Sequence, residues 1–242
     1  MRMSGNTVLV TGGSSGIGMG LAEAFVAAGN EVVVCGRGKD ALEALKLRVP
    51  ALHILVGDTG NAEARSRLFA EVTQKFPMLN VLVNNAGIQR KVDFGKGEPW
   101  NEIATEIAIN LEGPMHLSML FSPHLAKKAG AVIANVSSGL AFVPIAAMPV
   151  YCATKAALHS FTLSLRHQLA PSSIEVVEII PPAVRTNLGG SHDFGAPLDV
   201  YVASVMAQLA EGRSETTYEL SAETSQASRV ELDEIFVRMN AR

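Results

Sequence analysis

Three residues of one segment have the types and spacing that proton-transfer chemistry requires. Tyr151 and Lys155 are four positions apart, and Ser138 lies thirteen positions before Tyr151. On a helix, positions i and i+4 share a face, so the lysine ammonium would lie near the phenol. A neighbouring positive charge favours the phenolate, so we expect the pKa of Tyr151 to fall below its usual value of about 10. Such a phenol is a general acid and base near neutral pH, and Ser138 can donate a hydrogen bond to a carbonyl or alcohol oxygen.

A fourth candidate is Asn110, which falls inside a predicted helix. Asparagine is unfavourable in a helix interior, so this position indicates a specific role. Each of the four residues also has an ordinary interpretation: an aromatic at a helix start, a surface lysine, a turn serine and a local kink. Their joint occurrence at these spacings favours the chemical interpretation.

A glycine-rich turn stands near the start of the chain. The segment TGGSSGIG (11–18) follows a predicted strand and opens a predicted helix, with glycines at Gly12, Gly16 and Gly18. The first glycine permits a tight turn, and the others let backbone and helix approach closely. Helix-end N–H groups can then hold a pyrophosphate. The turn therefore predicts a dinucleotide site, although its spacing differs from the common G-x-G-x-x-G.

The residue after the second predicted strand indicates which dinucleotide binds. An acidic residue there would bind the ribose 2′-hydroxyl of NAD, but this chain has Gly36 followed by Arg37. Arg37 can pair with a 2′-phosphate through charge-assisted hydrogen bonds, or it can be a solvated loop residue. Together with the glycine turn, it favours NADP(H) over NAD(H).

Two further strand ends carry polar residues. Asp58 ends the third predicted strand and can accept a hydrogen bond from an adenine amino group, or simply cap the next helix. The segment NNAG (84–87) ends the fourth and suits a turn that exposes backbone to a ligand. Ligands of parallel sheets bind at the carboxyl ends of the strands. Arg37, Asp58, Asn85 and Ser138 all fall there.

Short β-branched runs alternate with helical patterns, which predicts the elements that position these residues. Parallel strands with helices on both faces follow from this alternation. We therefore expect an α/β fold, a Rossmann-like doubly wound parallel sheet in one domain, with 1–97 mainly dinucleotide-binding and 98–242 catalytic and substrate-binding. The predicted strands are 6–11, 31–36, 51–58, 80–87, 131–138 and 173–180, and the helices 16–29, 39–49, 61–76, about 99–127 and 149–170.

Composition excludes several classes of function. The chain has 242 residues, 48% of them hydrophobic, and a net charge of −3, so neither nucleic acid nor a membrane is an expected partner. The two cysteines, Cys35 and Cys152, predict neither a disulfide framework nor a metal site. Without a signal peptide or a membrane-length apolar run, the protein is expected in the cytoplasm.

Taken together, the motifs resemble those of the short-chain dehydrogenase/reductase family, in its branch of roughly 250 residues. They occur in the same order as in the family and span nearly the whole chain. Parts of the sequence also resemble a bacterial subgroup often labelled DltE-like. The motifs are TGGSSGIG (11–18), NNAG (84–87), Asn110, NVSSG (135–139), YCATK (151–155) and PPAVRT (181–186).

The resemblance implies a role for each matching residue. Tyr151 would be the acid–base, Lys155 would lower its pKa and bind the nicotinamide ribose, Ser138 would orient the reacting oxygen, and Asn110 would hold a water. The reaction would transfer a hydride between NADP(H) and a small carbonyl or alcohol. The implied cofactor-binding residues are Gly12, Ser14, Ser15, Gly16, Ile17, Gly18, Arg37, Asp58, Thr59, Asn85, Ala86, Gly87, Tyr151, Lys155, Pro181, Val184 and Thr186.

The substrate pocket would be built from the residues that follow Gly87, Ser138 and Pro181. They are mainly apolar, which favours an apolar ketone or aldehyde. The glycine-rich segment 186–197 suits a mobile lid, in which His192 is a lid contact or a solvated histidine. The expected substrate-binding residues are Ser138, Leu140, Phe142, Gln89, Val184 and Leu188.

The chain departs from the family pattern in two places. Pro181-Pro182 replaces the usual Pro-Gly, which stiffens the loop near the nicotinamide. The tail lacks the usual seventh strand: at most 215–220 forms a short edge strand, and 230–239 is helical. Because that strand commonly supports a tetramer, we expect a homodimer built on the helices around 100–127 and 150–169.

Two other functions fit the same fold. One is a non-catalytic NADP(H)-binding sensor or scaffold, against which the complete set of Asn110, Ser138, Tyr151 and Lys155 argues. The other is a different reaction, such as epimerisation or dehydration. The absence of an added substrate domain disfavours a nucleotide-sugar epimerase.

Overall fold

Parallel strands form one sheet in the computed structural model, which describes residues 1–97, 99–190 and 194–241. Their order is β3-β2-β1-β4-β5-β6-β7, so the direction of winding reverses between β1 and β4. This is the doubly wound arrangement, in which a crevice opens at the carboxyl ends of the strands beside the reversal. The strands are β1 (Thr7–Thr11), β2 (Glu31–Gly36), β3 (His53–Val56), β4 (Val81–Asn84), β5 (Ala131–Val136), β6 (Ile174–Ile180) and β7 (Glu215–Thr217).

Helices cover both faces of the sheet. A π-helical turn, Ala108–Glu112, joins α4 to α5, so the helix expected over about 99–127 is a continuous run with one widened turn. The helices are α1 (Gly16–Ala27), α2 (Lys39–Arg48), α3 (Ala62–Lys75), α4 (Trp100–Ile107), α5 (Gly113–Leu125), α6 (Pro149–Leu169), α7 (Leu198–Ala210), α8 (Leu220–Gln226) and α9 (Arg229–Asn240).

Alternate side chains of the strands enter two separate hydrophobic cores. Val8 and Val10 of β1 pack on one face with Phe25 and Tyr201, which come from α1 and α7. Leu9 points to the opposite face, where α3, α5 and α6 contribute buried side chains. Burial on both faces explains why the strands read as continuous apolar runs. The predicted α/β, Rossmann-like, single-domain fold is confirmed.

The second half of the chain holds the largest differences from prediction. Residues 85–87 belong to a turn after β4 rather than to the strand. The tail does contain a seventh strand, but it has three residues, pairs with β6 in parallel, and ends before α8 begins at Leu220. The sequence analysis missed α7 and α8. In α7 the signal was present, because Tyr201, Val202, Val205 and Leu209 recur at helical spacing and are all buried.

Among the described residues, no helix combines the length and the apolar character that crossing a bilayer requires.

Candidate active site

The glycine turn at the end of β1 is locked to the turn after β4. The Asn85 side chain donates hydrogen bonds to the carbonyls of Thr11 (2.9 Å) and Gly12 (3.2 Å). In return, the Thr11 hydroxyl accepts from the backbone N–H groups of Asn85 and Ala86 at 3.0 and 3.1 Å. The contact is close enough that a Cβ on Gly18 would stand 2.2 Å from Asn85 Nδ2. Glycine is therefore required at position 18 by packing.

A cleft of about 590 Å³ extends from this turn along the carboxyl ends of the strands. It brings together most of the residues expected to bind cofactor, and two of those expected to bind substrate, Gln89 and Leu188. The cofactor candidates that line it are Gly12, Ser14, Ser15, Gly16, Ile17, Gly18, Arg37, Thr59, Asn85, Ala86, Gly87, Tyr151, Lys155, Pro181 and Thr186.

Tyr151 and Lys155 lie on the first turns of α6, where the cleft meets β5. Both are buried, and the Lys155 ammonium lies 5.6 Å from the centre of the Tyr151 ring. Lys155 Nζ donates a 2.8 Å hydrogen bond to the carbonyl of Val136, the last residue of β5. Two residues later, Ser138 faces the phenol, and hydrogen bonding from its hydroxyl lowers the pKa of Tyr151.

The expected net fall in the pKa of Tyr151 is nevertheless wrong for the protein chain alone. Burial is the largest influence and raises the pKa above 10, because removing the phenol from water disfavours its charged form. Burial also acts on Lys155 and lowers its pKa to about 8. The spacing of the two residues placed them correctly on one face, but spacing carries no information about burial.

Asn110 is fully buried in the π-helical turn. Its side chain forms two hydrogen bonds with the backbone of Ile88 and a third, of 3.2 Å, with the Thr154 hydroxyl. It therefore connects the turn after β4 to α6. Its Oδ1 and Lys155 Nζ would lie 3.4 and 3.6 Å from a Cβ at Gly87, so the absence of a side chain there keeps the space beside the lysine open.

Other predicted site residues lie outside the lining of the cleft. Asp58 Oδ1 accepts a 2.9 Å hydrogen bond from the Gly60 backbone N–H, which is the ordinary turn role. Val184 is buried in a hydrophobic core. Phe142 packs its ring against His159, with centroids 4.8 Å apart, and the Leu140 backbone N–H donates to the Ser138 hydroxyl. The structure therefore does not place the Val184, Leu140 or Phe142 side chains in this cleft. Ser138 and Asn110 are not among its lining residues either, although both lie next to residues that are. His192 lies outside the described residues.

Several residues that line the cleft were missed by sequence reasoning, among them Ile109, Ser137 and Asn187. Ser137 is informative, because its buried hydroxyl has no hydrogen-bond partner among the described residues. An unpaired buried hydroxyl beside a cleft fits a site that accepts a polar ligand. Its sequence signal was the polar pair Ser137-Ser138 directly after the apolar run of β5.

The outer end of the cleft lies between the glycine turn and the end of β2. Ser14 Oγ would stand 3.2 Å from a Cβ on Gly36, and the exposed Arg37 follows. Within the described ranges, Arg37 forms no ion pair, whereas Lys39 pairs with Glu43 at 3.6 Å. A hydroxyl and a guanidinium therefore stand together where an acidic residue would otherwise recognise a ribose hydroxyl.

Comparison with known proteins agrees with this geometry. The model of the short chain dehydrogenase family matches residues 6–193, and the chain belongs to that family. It is 45% identical, over its full length and 99% of the relative, to the uncharacterized oxidoreductase DltE of Bacillus subtilis (strain 168). The relative supports the DltE-like resemblance and the assignment as an oxidoreductase.

Two solved structures share the fold over nearly the whole chain. A short chain dehydrogenase from Burkholderia cenocepacia J2315 in complex with NADP is 26% identical, with a TM-score of 0.86 and full coverage of both chains. A short chain dehydrogenase/reductase from Burkholderia phymatum in complex with NAD has a TM-score of 0.84 at 20% identity, covering 97% of this chain and 96% of that one. Nicotinamide cofactors of both kinds thus occur among proteins of this fold.

Proposed function

We propose that the protein is an NADP(H)-dependent oxidoreductase that interconverts a small, largely apolar carbonyl compound and its alcohol. The observation that carries the proposal is that Tyr151 and Lys155 line a dinucleotide-sized cleft, with the Ser138 hydroxyl hydrogen-bonded to the Tyr151 phenol. The three side chains can hold and move one proton beside a substrate oxygen. The complete set argues against a sensor or scaffold, which would not need it.

The residues of the cleft fit a nicotinamide dinucleotide. The glycine turn and the N-terminus of α1 would hold the pyrophosphate, since helix N–H groups favour an anion there. The Ser137 hydroxyl has no hydrogen-bond partner among the described residues, and Asn110 Oδ1 and Lys155 Nζ face the open space beside Gly87. These polar groups are available to a bound cofactor. When bound, the cofactor supplies or accepts the hydride.

The chain's own residues supply the proton and orient the substrate. Tyr151 donates its phenolic proton to the carbonyl oxygen during reduction and accepts it during oxidation. Ser138 donates a hydrogen bond to the same oxygen and fixes its direction. The Lys155 ammonium stabilises the phenolate that forms, and Asn110 keeps α6 and the turn after β4 in register through Ile88 and Thr154.

Preference for NADP(H) is supported by Arg37 and Ser14 at the outer end of the cleft. A guanidinium and a hydroxyl suit a 2′-phosphate, and Gly36 leaves no carboxylate to repel it. Substrate preference is supported by the apolar residues Ile88, Pro181 and Leu188 of the lining. Gln89 supplies one polar group across from them, and its Oε1 would lie 2.7 Å from a Cβ on Gly189.

A homodimer in the cytoplasm is part of the same proposal. Met115 and Met119 are exposed at i and i+4 on α5, and Leu163 is exposed on α6, which are the helices expected to form the interface. Exposed apolar side chains on the helices expected at the interface suit a subunit contact. The free, buried cysteines Cys35 and Cys152 fit a reducing compartment. Analytical ultracentrifugation tests the assembly, and a monomer or tetramer would contradict it.

The reaction is tested with a panel of ketones and aldehydes, following NADPH absorbance. Tyr151→Phe should remove turnover of every substrate the wild type reduces, because the variant has no proton to donate. NADPH binding, measured by fluorescence, should persist. Tyr218→Phe is the control, since Tyr218 is not among the residues that line the cleft and its ring faces that of Tyr201, with centroids 6.0 Å apart. Wild-type rates in Tyr151→Phe would refute the assignment.

A further inference from the structure

Glu106 is a buried carboxylate that the proposed reaction does not use. It belongs to α4 and has no solvent exposure, and neither carboxylate oxygen has a hydrogen-bond partner among the described residues. Burying an unpaired polar group costs free energy, and an unpaired charge costs more. Such a local violation is expected where function requires it.

The neighbourhood of Glu106 is the active site. It lies four residues before Asn110 on one helical run, so the two share a face, and this run packs against α6. The ionisable groups whose charges act on it or respond to it are Arg90 from the turn after β4, and Tyr151, Cys152 and Lys155 from α6.

The Arg90 backbone N–H lies near the Glu106 carboxylate, but the Arg90 side chain is engaged elsewhere. Its guanidinium Nε pairs with Glu102 at 3.7 Å, one helical turn earlier on α4, and that side chain also donates to the Glu102 carbonyl. Burial raises the pKa of Glu106, against the opposing influence of the Arg90 backbone N–H and the positive charges of Arg90 and Lys155.

Lys155 is a buried cation whose hydrogen-bond partner carries no full negative charge. Its ammonium is buried and its Nζ hydrogen-bonds to the Val136 carbonyl, which carries no full charge. Burial lowers the pKa of Lys155, and the carboxylates of Glu178 and Glu106 raise it. Glu178 is already hydrogen-bonded to His159 Nδ1 at 2.9 Å. Glu106 is thus the neighbouring carboxylate with both oxygens free of partners within the described part of the chain.

We propose that Glu106 is a positioning residue of the active site, the buried counter-charge that keeps the Lys155 ammonium protonated. The inference rests on the proposed function in one respect, namely that Lys155 must be charged to stabilise the Tyr151 phenolate. Burying the Glu106 carboxylate without a hydrogen-bond partner costs stability, and its negative charge in turn supports the positive charge of Lys155.

The first test is the pH dependence of kcat/KM for carbonyl reduction. Without the negative neighbour, Lys155 should lose its proton at lower pH, so the alkaline limb of Glu106→Gln should move to lower pH by roughly half a unit or more. Glu106→Asp retains a carboxylate and should restore part of the shift. Glu112→Gln, an exposed position on the same helical run, is the matched control and should follow the wild-type profile.

The second test uses neither cofactor nor substrate and therefore stands even if the proposed reaction fails. The infrared C=O stretch of protonated Glu106 is assigned by its loss in Glu106→Gln. Coupling between two titrating groups is reciprocal, so Lys155→Met should let Glu106 keep its proton to higher pH than in the wild type. Melting temperature separates a purely structural role. The double variant Glu106→Met/Lys155→Met should melt no lower than the wild type, because replacing both members of a buried charge pair by apolar side chains is often neutral or stabilising.

The pairing is overturned if the titration of Glu106 is unchanged in Lys155→Met. It is overturned equally if the alkaline limbs of Glu106→Gln and Glu112→Gln coincide. Loss of turnover in Glu106→Gln at every pH, together with a lower melting temperature in Glu106→Met/Lys155→Met, would assign Glu106 to folding and also overturn it.

Discussion

Asn110 binds both backbone polar groups of Ile88: its Oδ1 accepts from the Ile88 N–H at 2.9 Å, and its Nδ2 donates to the Ile88 carbonyl at 2.8 Å. The turn after β4 thereby gains the partners that a neighbouring strand would otherwise provide. The widened turn at Ala108–Glu112 places Asn110 opposite Ile88. A π-helical turn within an α-helix is frequent at functional sites.

Asn110→Ala should lower the free energy of unfolding by about 2 to 4 kcal/mol, because it leaves the Ile88 N–H and carbonyl without partners. Urea denaturation measures this change. Asn101→Ala, at an exposed position on α4, is the control and should cost much less. Equal losses in the two variants would show that the contact with Ile88 contributes little.

Gly18→Ala tests the contact between the glycine turn and Asn85. In a helix interior this substitution normally stabilises, by up to about 1 kcal/mol. Here the added Cβ would meet Asn85 Nδ2 at 2.2 Å and the Gly12 carbonyl oxygen at 2.6 Å, and the second atom is backbone. We therefore expect the opposite sign: a lower melting temperature, and weaker NADPH binding by fluorescence titration.

The control for that variant is Gly38→Ala, with melting temperature as the readout. Gly38 has a φ of −83°, and its Cβ would meet only the Ala41 side chain, at an ordinary 3.6 Å. Because Gly38 is the N-cap of α2, where alanine is less favourable than glycine, the melting temperature of this variant should fall slightly and less than that of Gly18→Ala. A Gly18→Ala protein as stable as Gly38→Ala would show that the turn can relax around the methyl group.

Local pattern was sufficient to predict the sheet, because each buried parallel strand is an unbroken apolar run between turn residues. It was also sufficient to place Tyr151 and Lys155 on one helix face. The sign of the change in the pKa of Tyr151 was not predictable, since burial raises it by more than the hydrogen bond from Ser138 lowers it. Glu106 was invisible for the same reason. Its burial depends on how α4 packs against α6, whereas the local sequence is that of an ordinary helix with a charged surface residue.

Substitutions at Arg37 and Lys39, just after β2, test the cofactor preference. Arg37→Asp should lower the affinity for NADPH by roughly tenfold to a hundredfold, because it removes a charge-assisted hydrogen bond and adds a repelling carboxylate. NADH binding should change less, so the preference between the two should shift towards NADH. Lys39→Ala controls for general loss of positive charge, since Lys39 pairs with Glu43. An unchanged ratio of the two dissociation constants would contradict the proposal.

His159 and Glu178 make stability depend on pH. The His159 Nδ1 lies 2.9 and 3.1 Å from the two carboxylate oxygens of Glu178, and this hydrogen bonding raises the pKa of His159 above its usual 6.5. The folded state therefore binds this proton more tightly than the unfolded chain does. The resulting stabilisation is complete below pH 6.5 and is lost as the pH rises through the higher folded value.

Melting temperatures measured from below pH 6.5 to above the folded pKa of His159 test whether stability falls as the pH rises. Wild-type stability should decline as the pH rises above 6.5, and His159→Gln should decline less steeply because it has no proton to lose. His167→Gln, an exposed histidine further along α6, should keep the wild-type slope. Burial of the imidazole opposes the effect of Glu178, so a steeper decline in His159→Gln would mean that burial, and not the carboxylate, dominates at this site.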